Sequence, residues 1–262
     1  MKIYIKALAV TVTLFTWTGL SYGWSCPTHS FIAHQAGLSS PDTACITDAA
    51  RYDNYNLLVQ FHYHNAAPGT VVTPQYIDQY TVSKREYIPK GDPGAKPLEI
   101  MVPADSGVLY WKIVDLYRKL KATEFPSEYN YALMTISHLI GDLSQPLHNF
   151  PYMNEPASDG KAYPKEGSWA GPKEVHGAFD NRFDEIMPAI GKARMANSIK
   201  VSSEDDLKRE IAKIANASIA LANRCYSENQ RGMKAEEVAA QVASSIVLLK
   251  AVIGDTRRVV GE

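Results

Sequence analysis

The chain has few cysteines, no surplus of either charge and no glycine-rich nucleotide cradle. Three cysteines, Cys26, Cys45 and Cys225, stand among 262 residues, at spacings that do not suit a cysteine-built zinc site. Lys and Arg number 27 against 28 Asp and Glu, so no global basic field argues for tight nonspecific nucleic-acid binding, which leaves only a local groove for such a ligand. Dinucleotide and phosphate-loop glycine motifs are absent, as are internal repeats and low-complexity linkers. No Ser-His-Asp arrangement presents itself, which removes the usual protein nucleophile. Beyond the N-terminal residues, no stretch reads as long and apolar enough to cross a membrane.

What is present begins with a leader. Lys2 and Lys6 form a positive region, Ala7 to Thr18 is uncharged and mostly apolar, and Ser21-Tyr22-Gly23 places small residues at the −3 and −1 positions. Residues 1–23 therefore read as a signal peptide, with a retained anchor as the rival, and cleavage would leave Trp24 first. The protein is then expected to be secreted or periplasmic, in an oxidising compartment where three cysteines give one disulfide and one leftover thiol. Cys26 with Cys45 is the favoured pair, since both flank the same N-terminal helix; the spacing alone does not decide it.

Residues 24–262 read as an all-α, single multi-helix domain with long irregular loops. Pro27 and Thr28 start a short helix closed by Gly37. A second starts near Ser40-Pro41-Asp42 and carries Ala44, Cys45, Asp48, Ala49 and Tyr52. Residues 66–104 are rich in Pro, Gly and Thr and read as a long surface excursion with a short strand around Tyr87-Ile88. Apolar spacing predicts buried helices over Asp105 to Lys121 and from a Ser127 cap through Ile140. A second loop runs from about Asn149 to Pro172. Val175 to Met187, Ser203 to Arg224 and Lys234 to Ile253 complete the helices.

Against this background the histidines stand out. There are seven, His29, His34, His62, His64, His138, His148 and His176, and none lies in the last two helices. His138-Leu-Ile-Gly-Asp142-Leu-Ser-Gln-Pro146-Leu-His148 packs three metal-ligand side chains into eleven residues. His138 and Asp142 share one helical face, and Pro146 ends the helix so that His148 takes another direction. His176 and Asp180 repeat the i,i+4 pairing, and Asp48 precedes His62 by fourteen residues. Imidazole mixed with carboxylate is the donor set of catalytic zinc, although iron or manganese accepts it too. His34 and His64 read as surface or supporting residues, and Asp53 and Asp184 as solvated acids.

A chain starting at Trp, with an early His, an Asp before a His-Tyr-x-Asn turn, then HxxxDxxxPxH and a closing HxxxD, resembles the zinc-dependent phospholipase C superfamily. That superfamily includes the single-strand-specific zinc nucleases. The resemblance runs from Trp24 to about Met187 and more loosely beyond. It implies three zinc ions at the bottom of a cleft. Asp48, His62, His138 and Asp142 would hold one. Trp24, through a free α-amino nitrogen and its carbonyl oxygen, would hold another with His29 and the shared Asp142, with His34 as the fallback for His29. His148, His176 and Asp180 would hold the third. The implied activity is hydrolysis of a phosphodiester by zinc-activated water, with Asp142 bridging and Asp48 orienting the nucleophile or taking its proton.

Two substrate classes fit the residues. Gly107-Val-Leu-Tyr110-Trp-Lys112 and His176-Gly-Ala-Phe179-Asp180-Asn181 resemble the phospholipases, with transient contact at a membrane surface and a phospholipid headgroup as substrate. Against that reading, Asp180 stands where those enzymes have Glu, and the acidic and aromatic residues expected around a choline headgroup are missing. The short Trp24-to-His29 spacing, His62-Tyr63-His64-Asn65 and Gln145-Pro-Leu-His148 resemble the nucleases, with single-stranded nucleic acid as substrate. The glycine–asparagine loop usual in those enzymes after His148 is absent. The phospholipase C-like reading is preferred, a non-catalytic zinc-binding protein is the third alternative, and no stable protein partner is implied.

Overall fold

The computed structural model describes residues 24–48, 59–80, 82–87, 98–151, 156–161, 175, 177–196, 199–227 and 232–257. The chain is mostly helical, as an all-α fold requires. Helix α1 spans Cys26–Ala36, with Pro27 in its first turn and Gly37 closing it at φ 97°, where the Gly37 N–H reaches the last carbonyls. A 3₁₀ turn, Pro41–Cys45, follows in place of the expected longer helix and gives way to helical residues 46–48. Ala49 and Tyr52, also assigned to that helix, lie outside the described residues. A disulfide between Cys26 and Cys45 ties this turn to the start of α1, and Cys225 is buried and outside any disulfide.

The excursion is more ordered than its composition suggested. It holds a single helical turn, Pro74–Ile77, and an antiparallel hairpin, β1 Val82–Tyr87 with β2 Leu98–Pro103, in which Val82 stands opposite Pro103. Ile88 lies outside the described residues. Helix α2, Leu109–Ala122, starts later than the apolar pattern implied. Gly107 makes the difference: at φ 82° it turns the chain, and a Cβ there would come within 2.0 Å of the Tyr63 carbonyl oxygen.

Helix α3, Pro126–Ser144, carries the motif. Ser127 does not cap it. Phe125 occupies the cap position, and Thr123 does the polar work just upstream: its hydroxyl accepts from the Phe125 N–H at 3.2 Å and donates to Glu128 at 2.9 Å. Pro126 suits the first turn because its missing N–H would have no helical partner there. Every residue from Ile136 to Ser144 is buried. Pro146 then starts a 3₁₀ turn, Pro146–His148, whose Leu147 N–H is capped by the Gln145 side chain at 2.6 Å.

The helix expected over Val175 to Met187 is interrupted: Val175 is helical, but residues 177–179 form a turn. A 3₁₀ turn, Asp180–Arg182, precedes α4, Phe183–Ala196, which runs further than expected and tolerates Pro188 inside it. Gly177 is a poor interior helix residue, and the Asp180 carboxylate is drawn to α1, where it accepts from Thr28 Oγ1 at 2.8 Å. Helices α5, Glu204–Ser227, and α6, Ala235–Thr256, finish the fold.

Helix α6 corrects one expectation from the sequence, because it is long and apolar enough to cross a membrane by length and composition. It is mostly buried against α1, α3, α4 and α5, the place for a helix apolar on several faces. One hydrophobic core runs from Trp24 through Ile140 to Ile253. Hydroxyls from the surrounding helices grip the end of α3. Ser245 Oγ donates to the Ile140 carbonyl at 2.7 Å and Ser218 Oγ to that of Leu143 at 3.0 Å. Each satisfies a buried polar pair and fixes α3 against rotation, which positions the face bearing His138 and Asp142.

Candidate metal centre

Asp142 is fully buried, and histidines from four segments converge on it. Its Oδ2 lies 3.0 Å from His62 Nδ1 and 3.1 Å from His138 Nε2. Its Oδ1 lies 3.4 Å from His29 Nε2 and 3.5 Å from His148 Nδ1. Asp48 Oδ1 approaches the same place, 3.8 Å from His62 Nδ1 and 3.6 Å from His138 Nε2, and the two histidine nitrogens are 3.1 Å apart. Donors about 2.0 Å from a tetrahedral centre stand about 3.3 Å from one another. The spacing within Asp48, His62, His138 and Asp142 brackets that value. Two overlapping groups can hold a metal ion, one of Asp48, His62 and His138, the other of His29, His138 and Asp142.

The rings are aimed from behind. His138 Nδ1 donates to the Ala44 carbonyl at 2.8 Å, which leaves Nε2 as the lone-pair nitrogen toward Asp142. His148 Nδ1 donates to the His62 carbonyl, so each of these rings is oriented by backbone. His29 stacks on His138 with centroids 3.9 Å apart. Both His29 ring nitrogens and Asp142 Oδ1 are buried without a hydrogen-bond partner among the described residues. Unsatisfied nitrogen and carboxylate atoms facing one another are costly unless a further group joins them. The donor set and its spacing both fit a divalent metal.

Electrostatics prepare the same state. Burial pushes His29, His62 and His148 below the ordinary histidine value, although the Asp142 carboxylate pulls the other way in each. Burial also opposes ionisation of Asp142, but the charges of His138 and His148 outweigh it and hold the carboxyl well below its usual range. His138 is raised, because Asp142 with Asp48 and the Ala44 carbonyl overcomes burial. An ionised carboxylate among largely neutral imidazoles is the ligand form metals require.

The remaining sequence-predicted residues divide. Trp24 is buried beside the motif, its indole N–H donating to Ser144 Oγ at 3.0 Å. His34 is exposed next to Gln35, on another face of α1 from His29. Asp180 reaches α1 through Thr28, one residue before His29. His176 lies outside the described residues. His64 is buried rather than superficial: Nδ1 donates to the Gly107 carbonyl at 3.0 Å, and Nε2 accepts from the Tyr76 hydroxyl at 2.7 Å. Burial pushes it down to about 4, so it stays neutral and anchors the segment carrying His62.

Two supporting residues escaped the sequence reading. Gly141, inside α3, faces His29 so closely that a Cβ would lie 2.4 Å from Nδ1. A glycine in a helix interior costs about 1 kcal/mol relative to alanine, which was the available signal. Asn149 donates from Nδ2 to the Leu143 and Gln145 carbonyls at 2.9 and 2.8 Å, and accepts from the Tyr110 hydroxyl at 2.9 Å. It locks the turn that directs His148, and nothing in its spacing announced it. Comparison with protein-family models, curated proteins and solved structures found no match to this chain.

Proposed function

We propose that the chain is a secreted, zinc-dependent phosphodiester hydrolase of the phospholipase C kind. The observation carrying this reading is the buried convergence of Asp48, His62, His138 and Asp142 at tetrahedral donor spacing. A bound divalent zinc would supply Lewis acidity, lowering the pKa of water and offsetting phosphate charge. The four residues just named would hold one ion. His29, Asp142 and the α-amino group of a cleaved Trp24 would hold a second, and His148, His176 and Asp180 a third.

The chain's own residues would divide the remaining work. Asp142 presents one oxygen to His62 and His138 and the other to His29 and His148, so it can serve two sites at once. Asp48 is the half-buried member, its side chain 27% exposed, and is therefore the carboxylate positioned to meet a proton from the attacking water. The Ala44 and His62 carbonyls keep His138 and His148 from turning. The Cys26–Cys45 disulfide fits an oxidising compartment, and partly exposed Ile46 and Tyr131 supply apolar surface for transient membrane contact.

The test is metal analysis of the protein starting at Trp24, followed by assays on phosphatidylcholine and on single-stranded DNA and RNA. Zinc-dependent release of phosphocholine supports the reading. Cleavage of nucleic acid without lipid hydrolysis makes the protein a nuclease instead, and metal binding with no turnover makes it a zinc-binding protein. Asp142→Asn should abolish turnover and lower zinc content; full activity in that variant rules out the shared carboxylate.

A further inference from the structure

A cavity of about 670 Å³ has one of the metal-centre residues, His62, on its wall. It lies between α2 and α3, and Thr47, the neighbour of Asp48, lines it too. Its size is that of a small-molecule site. Its surface is dominated by hydrocarbon from Ile46, Phe61, Leu116, Ala132, Met134 and Leu139. Ile46 and Tyr131, also lining residues, remain 51% and 59% exposed, so large apolar side chains are left open to solvent along it.

Two lysines, Lys112 and Lys119, and one carboxylate, Glu128, stand in this lining, and both lysines pair with Asp115. Lys112 places its ammonium 4.7 Å from the Phe61 ring centroid and 2.8 Å from Asp115, and so holds a positive charge on a mostly apolar wall beside His62. Aliphatic walls running away from a donor cluster suit a substrate with a charged phosphate at one end and a hydrocarbon at the other. A ribose and base would instead need polar groups paired along their length.

We infer that this groove is the subsite for one aliphatic chain of a phospholipid-type diester, with Met134 and Leu116 on its walls setting the chain length accepted. The inference rests on the phosphodiesterase reading and narrows it, placing the hydrocarbon inside the protein between two helices. Each methylene entering the groove leaves water, which should strengthen binding about fourfold.

The experiment titrates the zinc-loaded protein with hexyl-, octyl-, decyl- and dodecylphosphocholine below their micelle concentrations by calorimetry. Affinity should climb by roughly fourfold per methylene and then level off as the groove fills. Met134→Trp should shorten the chain at which levelling occurs and weaken dodecyl binding about tenfold or more. Thr135→Phe, a half-buried lining position that leaves the core untouched, repeats the test if Met134→Trp does not fold. Affinity independent of chain length, or variants with unchanged profiles, overturns the subsite. Loss of oligodeoxyadenylate binding in place of lipid binding overturns it as well. Hydrolysis of bis(p-nitrophenyl) phosphate by the same wild-type preparation is read separately. No turnover there defeats the phosphodiesterase reading while the chain-length series still decides the groove.

Discussion

Gly141 carries a constraint out of proportion to its size. It lies one residue before Asp142, and its missing side chain is the space that the His29 ring fills. Gly141→Ala would favour the helix by about 1 kcal/mol locally yet push His29 off both Asp142 and His138. Metal affinity should fall about 10- to 100-fold, the usual cost of disturbing a ligand's support. Zinc titration monitored by a competing chelator reads this; unchanged affinity with a native melting curve would show that His29 does not bind the ion. Gly107→Ala is expected to be worse for folding, because the obstruction is the Tyr63 backbone rather than a movable ring. Its melting temperature should drop by several degrees, equivalent to about 1–3 kcal/mol.

At the scale of elements, the disulfide and α3 act together. Cys45 follows Ala44, whose carbonyl orients His138. Cross-linking residues nineteen apart in sequence stabilises a fold by about 3 kcal/mol on the chain-entropy account. Cys45→Ser should therefore lower stability by that order and also weaken zinc binding, since the Ala44 carbonyl loses its tether to α1. Urea unfolding with and without zinc separates the two effects. Equal destabilisation in both conditions would mean that the Ala44 turn holds its place without the bridge. The hydroxyls of Ser218 and Ser245 brace α3 on its other side, so the site is held between a cross-linked turn and two packed helices.

Across the whole molecule, charge and metal set the response to pH and chelation. Glu204 accepts two bonds from Arg118 at 2.7 Å and pairs with Lys208. The Arg118 bonds, and then Lys208, pull its carboxyl down to about 2 against the opposing effect of burial. A folded-state value below the unfolded one means that its stabilisation is present above about 4.5 and fades as pH falls toward 2. Glu204→Gln should flatten the loss of stability across that window, followed by urea midpoints at successive pH values. The gain is modest because the side chain is about a third exposed, and added salt should shrink it further. A metal ion bound by the His/Asp groups would act on the whole fold by mass action. At a free concentration one hundred times the dissociation constant, each site adds about 2.7 kcal/mol, so chelation should lower the melting temperature and zinc should restore it.

The helical class was legible because apolar periodicity reports burial. Gly37 and Pro146 act through backbone constraints that do not depend on distant partners, so they marked helix boundaries correctly. The i,i+4 spacing of His138 and Asp142 likewise determined that both face one way. Ser127, the continuous helix over Val175 to Met187 and the start of α2 misled because caps and turns were decided elsewhere: by Thr123, by Thr28 meeting Asp180, and by Tyr63 pressing on Gly107. Helix α6 hid as an ordinary amphipathic helix because only packing shows how many of its faces are covered. The gathering of His29, His62 and His148 about one carboxylate also belongs to the tertiary structure. Those residues come from separate segments, and only the shared core fixes their distances. Sequence spacing specified the donors and some of their directions; three-dimensional packing made them one site and opened an apolar groove beside it.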